Sequence, residues 1–580
     1  MSSVGDVRAD DTDPSDDRTR ENWPSEDWTG DEWDPDEWDP DDWQDEAVDE
    51  EPVGGGRSLL RASAMPAVGT ALSRVSGLVR VAALTAALGL TSVADVYNLA
   101  NTAPNILYEL VIGGVLSSTL VPLFIHAKDD PDDDSTSVMV TVAFVAITAL
   151  TLAAVLVAPL LNRLFALSVD GPERASQIAI GDDFLLLLLP QVFFYGLTTL
   201  ATALLHARRR FAAPAFAPVL TNVVISIAAM IVYKVIDPAQ GDSSMNTVYV
   251  LGLGTTAGVA AMAAALLPAI RRAGIQLRWD FRPRHPAVKS VVRLSGWTVG
   301  FAIANQVSLL IVLTLARGAG VGAVSAYQYA FIFFQLPYGL IAVSIMTAVL
   351  PELAIAARNG DDVTYIAKFR EGLSLLLTFM IPAAGAYLFL GKPLIEILLQ
   401  RGEFDAAASQ DTARMLLGFS LGLPAFAIFL YCVRAFHARR NTRTPFYLNV
   451  FENTLNVVLV VPLVAVFETT GLSMAYSVSY WVAAGLALFV LQRQVHGLVG
   501  WATADVVMRA VLIGAAVLVA IGLAEQRLVG SSGAVVEVAI CVLVALPVFV
   551  VATYLVRPAG FEPMIDRFSS GLRRRTGRAG

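Results

Sequence analysis

Beyond Arg57 the chain is a near-unbroken succession of apolar runs of twenty residues or more, parted by short polar connections. A helix needs about 20 apolar residues to cross a hydrocarbon core of roughly 30 Å. No water is present there to satisfy backbone N–H and C=O groups, so each such segment must close its hydrogen bonds within itself. The pattern predicts an all-α polytopic membrane protein of about fourteen transmembrane helices, the first over 60–89 and the last over 533–556. Hydrophobic residues make up 55% of the 580, charged residues 16%, and the mean hydropathy is +0.59; that is too little charge to cover a soluble surface of this size. Cys432 and Cys541 both lie inside apolar runs, which argues against a disulfide framework, and neither has a soft ligand nearby at a zinc-like spacing.

The net charge of −10 belongs to one segment. Residues 1–56 hold 22 acidic and 3 basic residues, a local charge of −19, which leaves +9 for the rest. The segment lacks the basic start and apolar core of a signal peptide, and its composition predicts a disordered cytoplasmic tail. Within it Trp23, Trp28, Trp33, Trp38 and Trp43 recur every five residues among acids. Spaced rings in an acidic context suit docking to a basic cytoplasmic or division-machinery partner. A solvated low-complexity tail is the plainer alternative. Gly54, Gly55 and Gly56 then form a joint before the first helix.

The basic connections are Arg208–Arg210, Arg271 to Lys289, Arg439 to Arg443 and the C-terminal Arg573–Arg575, and all fall on one side if the spans alternate. Lys and Arg concentrate in cytoplasmic loops, so both termini are expected in the cytoplasm of a multi-pass protein of the bacterial plasma membrane. The acidic connection 128–134 departs from the pattern, but the rule counts Lys and Arg alone.

An internal repeat organises the spans. His206-Ala207-Arg208-Arg209, Pro214 and Asn222 recur as His437-Ala438-Arg439-Arg440, Pro445 and Asn453, each displaced by 231 positions. A looser echo relates Tyr97, Ala100 and Pro122 to Tyr327, Ala330 and Pro351. The expected organisation is a first lobe over 57–285 (six spans), a second over 286–500 (six spans), two extra spans over 501–558 and a basic tail over 559–580. An even number of spans per block keeps both in one orientation. Two such bundles can rock about a site held between them, which suits alternating access.

Polar residues inside spans mark where a substrate would pass. Arg74 and Arg80 lie in the first span, where a basic residue costs about 2.5–3.5 kcal/mol on insertion scales and needs a partner or a wet cavity. Six residues is roughly 120° around a helix, so the two share a face only if Gly77 lets the helix bend. Paired guanidiniums suit bidentate recognition of phosphate; snorkelling of Arg74, or its pairing with Asp95, stays open beside that. In the second span Asn98, Asn101, Asn105 and Glu109 line one helical face, flanked by Thr102 and Tyr108. The whole stripe reads as cavity lining, whereas each single amide taken alone is better read as bonding a neighbouring helix. Asn305, Gln306, Tyr327, Gln328, Gln335 and Tyr338 repeat the theme more weakly. Gly252 and Gly254 lie in an apolar span with no preceding strand, so they are no dinucleotide fingerprint. No Walker A sequence occurs and the five histidines form no cluster. A transporter rather than an enzyme is expected, with no cofactor and no nucleic-acid partner.

The run Ser73-Arg74-Val75-Ser76-Gly77-Leu78-Val79-Arg80, followed by Asp95 and Pro104-Asn105, resembles the first signature of the MurJ/MviN lipid II flippases. Arg401-Gly402-Glu403-Phe404, Gly422-Leu423-Pro424, Arg434-Ala435-Phe436 and Asn441-Thr442-Arg443-Thr444-Pro445 are similar to the second. The resemblance covers about residues 60–495. It implies two lobes cycling around a cationic cavity, a working monomer, and movement of the lipid-linked peptidoglycan precursor from the inner to the outer leaflet. It also implies that the two extra helices hold the polyprenyl tail. Arg74, Arg80 and Asp95 match positions tied to transport, and with Asn98, Asn101, Asn105 and Glu109 they form the candidate substrate-binding set. Val81, Thr102, Tyr108, Gly113, Ile332 and Gln335 stand where charged residues are common in the family, so a weaker cationic field is expected. Two other readings stand beside a lipid II flippase: a related exporter of another lipid-linked oligosaccharide or a drug, and a membrane scaffold that recruits division proteins through residues 1–56.

Overall fold

The computed structural model describes residues 56–561 apart from 112–123, 125–134, 170–172, 236–242, 276, 286–287, 289–295 and 530–532. The Trp repeat, Gly113, the acidic connection 128–134, Lys289 and the C-terminal arginines lie outside the described residues.

Apolar composition and internal hydrogen bonding give helices throughout, and no strand occurs among the described residues. The first group is α1 (Gly56–Leu88), α2 (Ser92–Val111), α3 (Ser135–Phe165), α4 (Glu173–Leu188), α5 (Gln191–Ala207), α6 (Ala212–Val235) and α7 (Ser243–Arg272). The second is α8 (Gly296–Ala319), α9 (Ala323–Pro337), α10 (Val343–Arg358), α11 (Asp362–Leu399), α12 (Ala406–Ser420), α13 (Leu423–Ala438), α14 (Arg443–Phe467) and α15 (Thr470–Gln494). Two more, α16 (Trp501–Ala524) and α17 (Ala534–Val556), end the described chain. The described residues from Ala64 onward form one compact unit.

Several helices combine into single spans. α4 and α5 meet at Pro190, which has no N–H to continue the ladder. α9 and α10 are joined through a π-turn at Tyr338–Ala342. α12 and α13 meet at a 47° bend that ends on Gly422, with Pro424 in the first turn of α13. Among the described residues, twelve spans are long and apolar enough to cross a membrane, and the bent pair makes thirteen. The fourteenth is α2, whose 20 residues carry the polar stripe that keeps it below that apolar threshold. The fold is therefore two six-span lobes, α1–α7 and α8–α15, followed by two further helices.

The repeat read from sequence has a geometric counterpart. Both His-Ala-Arg-Arg corners end a helix at Ala207 or Ala438 and then place a non-glycine residue in the left-handed region, Arg209 at φ 55° and Arg440 at φ 57°. The corners close alike: the N–H of Arg210 donates to the Leu205 carbonyl (2.8 Å) and that of Asn441 to the Phe436 carbonyl (3.0 Å). Asn222 on α6 donates to the Ser73 carbonyl and to Ser76 Oγ on α1, whereas Asn453 on α14 donates to Asn305 on α8. Each lobe thus ties its fifth span to its first with the same asparagine.

The first of the two extra helices, α16, packs on α11 through small residues. A Cβ on Gly514 would lie 2.6 Å from Ile381 Cγ2, and one on Gly385 would lie 2.3 Å from Leu518 Cδ1, so the helix axes approach closely there. Leu543 and Leu555 on α17 are 71% and 72% exposed and face the bilayer.

A β-branched side chain is strained at positive φ, so Arg209→Val and Arg440→Val should each destabilise the protein by about 1–2 kcal/mol. Arg208→Val, at φ −94°, is the control and should cost less. Thermal unfolding of the detergent-solubilised variants measures the difference, and equal effects at Arg208 and Arg209 would contradict it.

Candidate functional site

α2 lies on the seam between the lobes, and its polar stripe divides into two parts. Near its start, Asp95 is 3% exposed and its carboxylate reaches the N-terminus of α9 in the other lobe. It accepts from the Gly322 N–H (2.7 Å), the Ser325 N–H (2.9 Å) and the Ser325 hydroxyl (2.7 Å). Unbonded backbone N–H groups and the dipole at a helix N-terminus favour an anion there. The turn that presents them needs glycine: Gly322 sits at φ 83°, and a Cβ there would lie 2.7 Å from Leu90 Cβ. One turn on, Asn98 donates to Ser325 Oγ (2.9 Å) and Tyr329 Oη (3.2 Å). Gln328 then donates to the Asn98 carbonyl (3.3 Å) and to Thr102 Oγ1 (3.1 Å).

Other contacts reinforce this end of the seam. The Glu403 N–H donates to the Ala86 carbonyl at 3.0 Å, and Ser168 donates to the Thr314 carbonyl. Arg317, buried near the end of α8, donates to Gln177 Oε1 (3.0 Å) and the Phe165 carbonyl (3.4 Å). All of these lie toward the end of the bundle opposite the arginine-bearing corners. A further hydrogen bond between the lobes runs from Arg74 Nη2 to the Gly339 carbonyl, at 3.3 Å.

The other half of the stripe opens onto a space between the lobes. Thr102, Asn105 and Glu109 line one side of a cavity of about 510 Å³. Asn305 and Gln306 of α8, Gln335 of α9, and Tyr476 and Tyr480 of α15 face them. Its far wall is a second polar stripe, Asn449, Glu452, Asn453 and Asn456 on α14. Asn305 Oδ1 accepts from Asn449 (2.8 Å) and Asn453 (2.9 Å), and Glu452 accepts from Ser479 (2.8 Å). The Oδ1 atoms of Asn449 and Asn456 are buried with no hydrogen-bond partner. The described lining contains no Lys or Arg. In the sequence Asn453 marks the repeat, and the spacing of these four residues places them on one helix face.

The candidate set is therefore dispersed. Asn105 and Glu109 line the cavity. Asp95 and Asn98 spend their bonding capacity across the seam, so Asp95 joins the two lobes in this structure and does not pair with Arg74. Asn101 lies between the two halves with a buried, unpartnered Oδ1. Arg80 is half-buried inside the first lobe with its Nε unpartnered, within electrostatic reach of the Tyr97 and Tyr195 hydroxyls. Arg74 and Arg80 thus engage different neighbours, as their separation around the helix requires. Among the described residues no group of His, Cys, Asp and Glu could hold a metal ion.

Comparison with known proteins agrees with this architecture. The family model described as "Lipid II flippase MurJ" matches residues 84–543, a stretch that begins after Arg74 and Arg80. A Rhizobium meliloti protein named "Probable lipid II flippase MurJ" is 30% identical over 448 residues, covering 76% of this chain and 82% of that protein. A Burkholderia cenocepacia protein named "Lipid II flippase MurJ" is 29% identical over 385 residues, covering 65% and 72%. A solved structure described as "Lipid II flippase MurJ, inward closed conformation" superposes with a TM-score of 0.70 at 20% identity, covering 86% of this chain and 99% of that one. An inward-facing multidrug resistance MATE family transporter of the MOP superfamily gives 0.57 at 13% identity, covering 75% and 98%. With two helical lobes about a polar cavity, and with a family model spanning 84–543, this multi-pass membrane protein belongs to the lipid II flippase MurJ family.

Proposed function

We propose that this protein moves lipid II, the diphosphate-linked peptidoglycan precursor, from the inner to the outer leaflet of the bacterial plasma membrane by alternating access. The observation that carries the reading is a seam bonded toward one end of the bundle, beside an interlobe cavity lined by polar side chains. Lobes joined in this way can hinge open at the bonded end once the latch breaks. The corners bearing Arg208–Arg210 and Arg439–Arg440 lie at the other end, and the positive-inside rule makes that end cytoplasmic, with both termini inside. The latch is then the outer gate. The cavity forms within one chain, which supports a working monomer.

Asn105, Glu109 and the α14 amides offer donors and acceptors suited to the sugar and peptide amides of such a headgroup. Arg74 reaches the seam from outside the cavity and is the candidate diphosphate ligand, with Arg80 deeper in the lobe. The absence of Lys and Arg from the described lining also favours a second reading, in which the same movement serves a different lipid-linked oligosaccharide. Residues 1–56 serve localisation through a cytoplasmic partner and are dispensable for transport.

Three outcomes follow. The chain should restore growth to a strain depleted of its own lipid II flippase, and Arg74→Ala with Arg80→Ala should lose that ability. Failure of the unaltered chain to restore lipid II translocation favours the related-exporter reading, while survival of the double variant removes the arginine assignment alone. Deleting residues 1–56 should leave flipping intact, whereas a scaffold would lose function. Hydrogen bonds to a charged group are worth about 1.5–3 kcal/mol, so Asp95→Ala should raise the outward-open population roughly ten- to hundredfold. Labelling of Ile106→Cys in the cavity by an impermeant thiol reagent added outside reads that population, and an unchanged rate would refute the latch.

A further inference from the structure

α1 and α6 run in the same direction and are tightly joined only near the arginine-rich end. A Cβ on Gly69 would lie 2.9 Å from Ala215 Cβ and from the Phe216 ring, and Asn222 bonds the Ser73 carbonyl (3.1 Å) and Ser76 Oγ (3.0 Å). Beyond that point a bilayer-facing slot of about 720 Å³ opens between Val75 and Val79 on one side and Val223, Ile227 and Ile231 on the other. Ile227 is 55% exposed in it. The slot's hydroxyls are already spent, Ser226 donating to the Asn222 carbonyl (2.7 Å) and Ser76 to the Ser73 carbonyl (3.0 Å). What remains for an occupant is hydrocarbon. At the far end stands Lys234, whose ammonium lies 4.7 Å from the Tyr233 ring centroid and pairs with no carboxylate among the described residues.

We propose that this slot binds one acyl chain of an anionic phospholipid, with the lipid phosphate over Lys234. With the sidedness given above, the lipid belongs to the outer leaflet. From Lys234 back to Val223 the helix rises about 16 Å, close to half of a hydrocarbon core of roughly 30 Å. The slot is thus one leaflet deep with a cation at its headgroup end. A polyprenyl chain hanging from a diphosphate at Arg74 would fill the same hydrocarbon but leave Lys234 without an anion. Occupation wedges α1 away from α6 beyond the Asn222 tie.

Native mass spectrometry of the delipidated full chain, titrated with phosphatidylglycerol or phosphatidylcholine, tests the site. Phosphatidylglycerol should bind about fivefold more tightly, the preference expected of one basic residue at a lipid surface. Lys234→Gln should abolish the preference while leaving weak binding, and Ile227→Trp should reduce binding of both lipids by filling the slot. Leu156→Trp, at an exposed position on α3, is the control and should bind as the unaltered chain does. A preference that survives Lys234→Gln, binding unchanged by Ile227→Trp, or displacement of phosphatidylglycerol by undecaprenyl phosphate would each overturn the proposal.

Discussion

In hydrocarbon, a polar group without a partner costs several kcal/mol, and nearly every distinctive feature of this molecule follows from meeting that cost. Backbone groups meet it by forming helices. Side chains have fewer options: bond across to another helix, or face water. α2 uses both on one face, and the divide falls near Thr102, which accepts from Gln328 across the seam and also lines the cavity. Asp95 is the extreme case, since a buried carboxylate needs more than one donor. The N-terminus of α9 supplies two backbone N–H groups and a hydroxyl at once.

The repeat distributes this economy unequally. Asn222 and Asn453 are equivalent by sequence, and each ties a fifth span to a first. In the first lobe the tie lies at the base of an apolar slot facing lipid. In the second it belongs to a hydrogen-bonded row, Asn305, Asn449 and Asn453, that forms the cavity wall. Duplication therefore fixed the packing while the chemistry around it diverged, one lobe meeting the bilayer and the other meeting the cavity.

Much of this was legible in the sequence because the relevant signals are local. Apolar run length gave the spans, and the recurring His-Ala-Arg-Arg corner gave the repeat, while the left-handed backbone at Arg209 and Arg440 is visible only in the structure. The bends at Pro190 and Gly422 were hidden because an apolar run stays apolar across a break. The division of the α2 stripe was hidden for a different reason. Asn98 and Asn105 are the same residue type on the same face, and only the approach of Ser325 and Tyr329 from the other lobe separates them. Paired guanidiniums are legible by residue type, but whether Arg74 and Arg80 share a face depends on a bend at Gly77 that sequence alone does not supply, and in the structure they meet different neighbours.

That division has a mechanical consequence. The latch residues Asp95 and Asn98 and the cavity residues Asn105 and Glu109 belong to one helix, α2, with Pro104 between them. In the proposed transport cycle, parting the lobes at the bonded end requires the Asp95 end to leave α9, and a rigid helix must then swing its cavity end with it. A proline at that point removes one backbone hydrogen bond and softens the joint, so the two ends are coupled but not locked. In the proposed cycle, a substrate that gathers Asn105 and Glu109 toward the α14 wall acts, through the same helix, on the bonds that hold the seam shut. Closure and binding share one element, and no separate signal is needed to link them.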